Sequence, residues 1–434
     1  MITAEYTIPG LHLRDHEVVV PLDWSAPDGG PTITVFAREM VAAHRRHEDL
    51  PLMLFLQGGP GGRSPRPLDA SGWLGVLVER YRVVLLDQRG TGRSAPVDAA
   101  RMASFPSAEE GADHLARFRA DSIVRDAEHL RRTVYGGRRW LTFGQSYGGW
   151  ITLEYLSFAP EGLAASMVTG GLASLRPDAA DLYRRTYPRA LAKNRRFEQR
   201  YPGDTAVIAR IADLLTERDV RLPDGDRLTV RRLQFLGGAR FGMQHGFEDL
   251  HWLLDTAFAD DGRLADTFLE SALTATGFAE NPLWAALQEA AEYTDDTSGA
   301  TRWAAQAEHD RHPEFAEDAR PLRFTGEMFY PWMFEEIRLL KPFGPAVDVL
   351  QQRVEWPARY DHARLAANEV PVVAAVYFDD LYVDADLQLQ TAREVANLTT
   401  WVTDEWEHDG IGASGGEVVR HLQRMLDDRG GPLR

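Results

Sequence analysis

The residues "FGQSYGGW", 143–150, set one serine among glycines where an apolar run, Trp140 to Phe143, gives way to a helix-like stretch, Trp150 to Phe158. Gly144, Ser146 and Gly148 spell G-x-S-x-G, the pattern in which a strained strand-to-helix turn lifts a nucleophilic hydroxyl above the edge of a sheet. Residues two before and two after such a serine approach neighbouring backbone closely, so a Cβ at either place would clash. A glycine-rich turn whose serine only caps the helix has the same local text. The motif therefore needs partners.

A serine hydroxyl is a poor nucleophile at neutral pH. It needs an imidazole to take its proton and a carboxylate to orient that imidazole, in the chain order Ser, acid, His for this kind of turn. His408 and His421 follow the last buried strand pair. His421 falls inside a closing amphipathic helix, whereas His408, in "EWEHDGIGASGG", sits in a loop directly after a strand and is the expected base. The acid is expected just after "VPVVAAVYF", where Asp379 and Asp380 compete. Asp384 and Asp386 read as loop solvation or helix capping, and Asp409 is too close in sequence to His408 to orient it. An oxyanion would be met by the N–H of Tyr147, after the nucleophile, and by one from the loop "LQGGPGG", with Gly59 preferred and Gly58 the alternative.

The elements that must carry these groups are legible as pattern. "EVVVPLDW" and "TITVFAREM" alternate as an antiparallel hairpin at a sheet edge. "PLMLFLQ", "YRVVLLDQ", "RRWLTFG" and "AASMVTGGL" are short apolar runs of strands buried on both faces, with helices around Trp73 to Arg80 and over "SIVRDAEHLRRTVYGG". From about Ser174 to Asn368 the alternation stops and charged, aromatic-rich helical text replaces it. It returns with "VPVVAAVYF", "TTWVTDEW" and the helix "GGEVVRHLQRMLDD". This predicts an α/β chain with a mostly parallel sheet, residues 1–173 and 369–434, and a mainly helical cap, 174–368, inserted in it. Two consecutive domains are the alternative.

Composition narrows the function. The chain has 434 residues, 44% of them hydrophobic, and a formal net charge of −17, which disfavours nucleic acid as a partner. It contains no cysteine, so covalent catalysis must use oxygen or nitrogen. No Walker loop, H-E-x-x-H or strand-preceded G-x-G-x-x-G asks for a metal or cofactor, and none is expected. The polar, acidic opening "MITAEYTIPGLHLRDHEVVV" and the lack of a long apolar run point away from a membrane and lead to a cytoplasmic reading.

The ordered set "LQGGPGG", "DQRGTGRS", "FRADSIVRDAE", "GQSYGGW", "FTGEMFYPWMF", "VYFDDLYVDADL" and "WEHDG" resembles the proline iminopeptidases (prolyl aminopeptidases) of the α/β-hydrolase superfamily, in their longer-chain branch. The likeness covers most of the chain. It favours Asp380 as the acid, through the "LYV" that follows, and leaves Asp87 and Arg89 as anchors of a turn. Many relatives have His at the head of the oxyanion loop where this chain has Gln57. The resemblance implies a serine exopeptidase that releases N-terminal proline, in some members other small residues, from short peptides. Such an enzyme must recognise a free ammonium. Glu327 in "FTGEMFYPWMF" is the first candidate, with Glu289 in "ALQEAAEY" and Glu248 in "GFEDLHWLL" behind it, the last two reading equally as helix-surface glutamates. Phe329, Tyr330, Trp332 and Phe334 either wall a pocket of pyrrolidine size or form core. Because esterases and amidases share the elbow and triad, a broader aminopeptidase or an esterase is the alternative function, and a non-catalytic binding protein is disfavoured by the intact triad.

Overall fold

The computed structural model describes residues 2–431. Three strands, β1 (Ile2–Ile8), β2 (Leu11–Pro21) and β3 (Thr32–Ala42), pair antiparallel. Six more, β4 (Leu52–Leu56), β5 (Arg82–Leu86), β6 (Trp140–Gln145), β7 (Leu163–Thr169), β8 (Val372–Tyr377) and β9 (Leu398–Thr403), run parallel to one another. They form one sheet in the order β1-β2-β3-β5-β4-β6-β7-β8-β9. The expected hairpin is β2–β3, but it is not the edge: β1 lies outside it. Six of the seven residues of β1 are exposed, so it carries no burial pattern by which a strand could be read.

The parallel strands are apolar throughout because both faces are covered. Leu52, Leu54 and Leu56 of β4 join one core with Ile123, Ile151 and Val376, while Met53 and Phe55 join the opposite core with Leu77, Phe143 and Leu422. Alternate side chains of a strand point to opposite faces, so both sets must be apolar. The helix Tyr147–Phe158, which starts at the elbow, is buried at ten of its twelve positions. A helix so enclosed gives the turn before it no freedom to shift.

β7 pairs directly with β8, yet residues 170–371 lie between them in sequence. This stretch is helical and includes Ala179–Arg200, Asp204–Glu217, Gly246–Asp255 and Gly344–Gln352. It has its own core, from Ala179 to Trp356, which also takes in Met102, Ala112, Leu115 and Phe118 from ahead of the elbow and Leu381, Tyr382 and Val383 from the loop after β8. The inserted segment thus packs on the helices Ala99–Ala103 and Ala108–Leu115 and on the loop after β8. Among the described residues no helix is long and apolar enough to cross a membrane.

Candidate active site

Ser146 stands at the C-terminal end of β6 with φ 55° and ψ −123°. A non-glycine residue there is strained by about 1–3 kcal/mol, tolerated where the surroundings over-determine the turn. They do so here through glycines. A Cβ on Gly144 would lie 2.3 Å from the Gly148 carbonyl oxygen, and one on Gly148 would lie 2.0 Å from that of Leu56. The Ser146 side chain caps nothing, although the helix Tyr147–Phe158 begins immediately after it. It remains partly exposed. Tyr147 opens that helix, so its N–H has no intrahelical partner and is available to an anion.

Asp380 and His408 follow β8 and β9, the last two strands of the sheet. His408 Nδ1 lies 2.8 Å from Asp380 Oδ2, while Asp380 Oδ1 accepts hydrogen bonds from the Tyr382 and Val383 backbone N–H groups at 2.8 and 3.0 Å. Asp380 is fully buried and His408 nearly so. Burial pulls the His408 pKa down, but the adjoining Asp380 carboxylate outweighs it and the net shift is upward from the ordinary imidazole value. Two glycines after β7 bring base and serine to one place. A Cβ on Gly170 would meet His408 Nδ1 at 3.2 Å, and one on Gly171 would meet the Ser146 carbonyl oxygen at 2.2 Å.

The other aspartates are occupied elsewhere. Asp379 pairs with Arg196 at 2.7 Å on the surface. Asp384 caps the helix Ala385–Glu394 and pairs with Arg189, while Asp409 accepts from the Gln244 N–H. His421 stacks on Trp401 at 4.0 Å, on the outer face of the closing helix.

The glycine loop after β4 runs against the elbow: a Cβ on Gly58 would lie 3.0 Å from Ser146 Cβ. Gly59 follows at φ 129°, a backbone conformation that favours glycine. The head of this loop is held by Gln88, whose Nε2 donates to the Gln57 carbonyl at 2.7 Å. Asp87 accepts from the Ser64 and Arg93 N–H groups, and buried Arg89 pairs with Asp126 while reaching the carbonyls of Pro21, Leu22 and Arg117. The "DQRG" text is therefore scaffolding for the loop.

Of the three glutamates, the structure brings Glu327 to this end of the sheet. Its Oε1 accepts from Trp284 Nε1 at 2.7 Å. Burial pushes its carboxyl up to about 7, opposed by the nearby His408 charge and by hydrogen bonds from Trp284 and Gln288. Glu289 is held by backbone of the inserted segment. It is 1% exposed, and its two oxygens take the backbone N–H groups of Ala304 and Ala305 at 2.7 and 3.1 Å, capping the helix Ala304–His309. Burial raises its pKa to about 7 as well, against those two amides, so a raised carboxyl alone does not mark the amine site. Glu248 lies on the outer face of Gly246–Asp255, paired with Arg200. Neither position could be decided from sequence, because helical glutamates look alike until their partners are known.

The aromatics divide in the same way. Tyr330 shares its hydroxyl with that of Tyr187 at 2.8 Å, Trp332 stacks on Tyr330, and Phe334 packs on Trp303, all as core of the inserted segment. Phe329 meets Trp284 edge-on at 5.2 Å and so backs the Glu327 carboxylate through that ring. Sequence reading missed Trp284 and Gln288. Their i, i+4 spacing puts them on one helix face, and Trp284 Nε1 also reaches Gln288 Oε1 at 2.5 Å. It also missed a buried network behind the elbow: Tyr147 Oη donates to Glu292 Oε1 at 2.8 Å, Glu292 pairs with Arg359 at 2.6 Å, and Arg359 with Glu154 at 3.2 Å.

A proline iminopeptidase of Aeromonas sobria is 40% identical over 98% of this chain and 98% of its own length. The chain belongs to the proline iminopeptidase family. A second relative, a proline iminopeptidase of Aspergillus aculeatus, is 34% identical over 94% of this chain and 92% of that protein. The family model described as alpha/beta hydrolase fold matches residues 51–253. An acetylester hydrolase of known structure from Corynebacterium glutamicum aligns over 95% of each chain at 12% identity, with a TM-score of 0.46.

Proposed function

We propose that this protein is a serine exopeptidase that releases N-terminal proline from short peptides, with Ser146, Asp380 and His408 as its triad. The observation that carries the reading is the pairing of His408 with a buried, doubly anchored Asp380 beside the strained Ser146 turn. Asp380 fixes the imidazole through Nδ1, leaving Nε2 to take the Ser146 proton. The serine oxygen adds to the carbonyl of the first residue. The N–H groups of Tyr147 and Gly59 receive the oxyanion that forms. His408 then returns the proton to the departing peptide amine as the C–N bond breaks, leaving the amino acid esterified to Ser146. Water gives a proton to His408 and attacks the ester, and the released serine oxygen takes that proton back.

Selection of a free N-terminus falls to Glu327. Its carboxylate, desolvated and close to the triad, pairs with the ammonium of the first residue, while Trp284 and Phe329 supply an apolar wall. Glu289 and Glu248 have no part in this reading, since their carboxylates are already taken, by the Ala304 and Ala305 N–H groups and by Arg200. A panel of aminoacyl chromogenic amides, their N-acetylated forms and simple acyl esters tests it. Prolyl amides with a free amine are expected to be the best amide substrates. Equal cleavage of acetylated and free amides would remove the exopeptidase reading and leave an esterase or amidase.

A further inference from the structure

The strand that carries the base, β9, is the last of the sheet. Its following loop has a strand-end neighbour on one side, the Asp380 loop after β8, and nothing of the sheet on the other. That loop is also held by the inserted segment. The His408 N–H donates to the Gly242 carbonyl at 3.0 Å, and the Glu407 N–H donates to Gln244 Oε1 at 2.9 Å. The Gln244 N–H in turn donates to Asp409 Oδ1 at 2.8 Å, and Gln244 Nε2 to the Glu405 carbonyl at 3.4 Å. Residues on both sides of the imidazole are therefore tied to one short piece of chain.

The same piece reaches the ring that flanks the imidazole. Tyr382, two residues beyond Asp380, meets His408 edge-on at 4.9 Å, and its hydroxyl lies 3.3 Å from the Gly242 N–H. A Cβ on Gly242 would stand 2.4 Å from the Tyr382 ring, so the approach requires glycine. Lys193, 3% exposed on the helix Ala179–Arg200, adds an ion pair to Glu407.

We infer that Gly242 and Gln244 are positioning residues for the base, so that the inserted segment aligns His408 as well as covering the substrate. The inference rests on His408 being the base. Misplacing a catalytic group by a fraction of its working distance is costly while leaving substrate affinity intact, and that signature separates positioning from binding.

Gln244 is only partly exposed and its side chain enters no core, so Gln244→Met keeps the fold and removes the side-chain ties. Its kcat is expected to fall ~10- to 100-fold, with KM unchanged, and by the same factor on prolyl amides and on a neutral acyl ester. Phosphonylation of Ser146 by a small fluorophosphonate, which needs the base but not the amine site, should slow in parallel, with the thermal midpoint unmoved. Gly242→Ala, which displaces the Tyr382 ring, should act in the same direction. Normal kcat and phosphonylation in both variants would overturn the inference, as would a loss confined to KM for prolyl amides. His408→Ala is run alongside: if it phosphonylates at the normal rate, the base assignment fails, whereas a slow His408→Ala beside a normal Gln244→Met removes only the positioning role.

Discussion

At the C-terminal edge of the sheet, Ser146, Asp380 and His408 each sit one to five residues beyond a strand, and backbone fixes them: a forced turn, two N–H groups on a carboxylate, a tied loop. Across the site, Glu327 is held by hydrogen bonds from side chains, Trp284 and Gln288, on a helix of the inserted segment. On the proposed reading, chemistry is built on groups held by backbone at the sheet edge, steadied by Gly242 and Gln244, where an error of an ångström matters, and selection on the side-chain contacts around Glu327, which can vary without disturbing it. Substitutions at the sheet edge should then lower turnover on every substrate. Substitutions around Glu327 should change only which substrate is accepted.

The largest effects are expected at the sheet edge. Ser146→Ala and His408→Ala should each reduce kcat by ~10⁶-fold, and Asp380→Asn by about 10⁴-fold, on esters and prolyl amides alike. Asp379→Asn breaks only a surface pair with Arg196 and should cost under ~1 kcal/mol of stability with normal turnover. Steady-state kinetics of the four variants decides between the aspartates. If Asp379→Asn proved crippling, the acid would have to be moved.

A pH series sharpens the contrast between the two regions. The His408 pKa is raised by Asp380, so activity on a neutral ester should be lost on acidification at a higher pH than for an ordinary imidazole. Prolyl amides need Glu327 ionised in addition. Its carboxyl, held up near 7 by burial, is protonated below that value and loses its attraction for an ammonium. The ratio of amide to ester kcat/KM cancels the His408 contribution and should fall as pH drops through about 7. A ratio flat across that range would mean that Glu327 does not meet the amine. The smallest expected effect is none at all: with no cysteine in the chain, iodoacetamide should leave activity unchanged, and a metal chelator should do the same. Inhibition by a chelator, reversed by added metal, would contradict the mechanism.

The sheet edge was legible in the amino-acid sequence because its rules are local. Gly144 and Gly148 are steric necessities of a turn, continuous apolar runs mark strands covered on both faces, and a loop after the last strand exposes His408 where His421 lies within a helix. Asp380 against Asp379 was not decided by pattern, since adjacent aspartates differ only in which one meets backbone N–H groups and the imidazole; the family likeness favoured Asp380. β1 escaped because its side chains are exposed on both faces. The inserted segment was legible only as helix. Glu289 and Glu327 both sit among apolar residues, and both are pushed up to about 7, yet one caps a helix and the other lies near His408. That difference is made by contacts between Trp284 and Glu327, 43 positions apart, which no periodicity records.

Glu327 is the group proposed to make a general acyl hydrolase into an aminopeptidase, and the direct measurement is kcat/KM of Glu327→Gln on a prolyl amide divided by that on a neutral ester. Removing one member of a desolvated charge pair should cost on the order of a few kcal/mol on the amide alone, a fall in the ratio of about 10²-fold or more. N-acetylating the amide should mimic the substitution from the substrate side. A ratio unchanged by Glu327→Gln but altered by Glu289→Gln or Glu248→Gln would contradict the account.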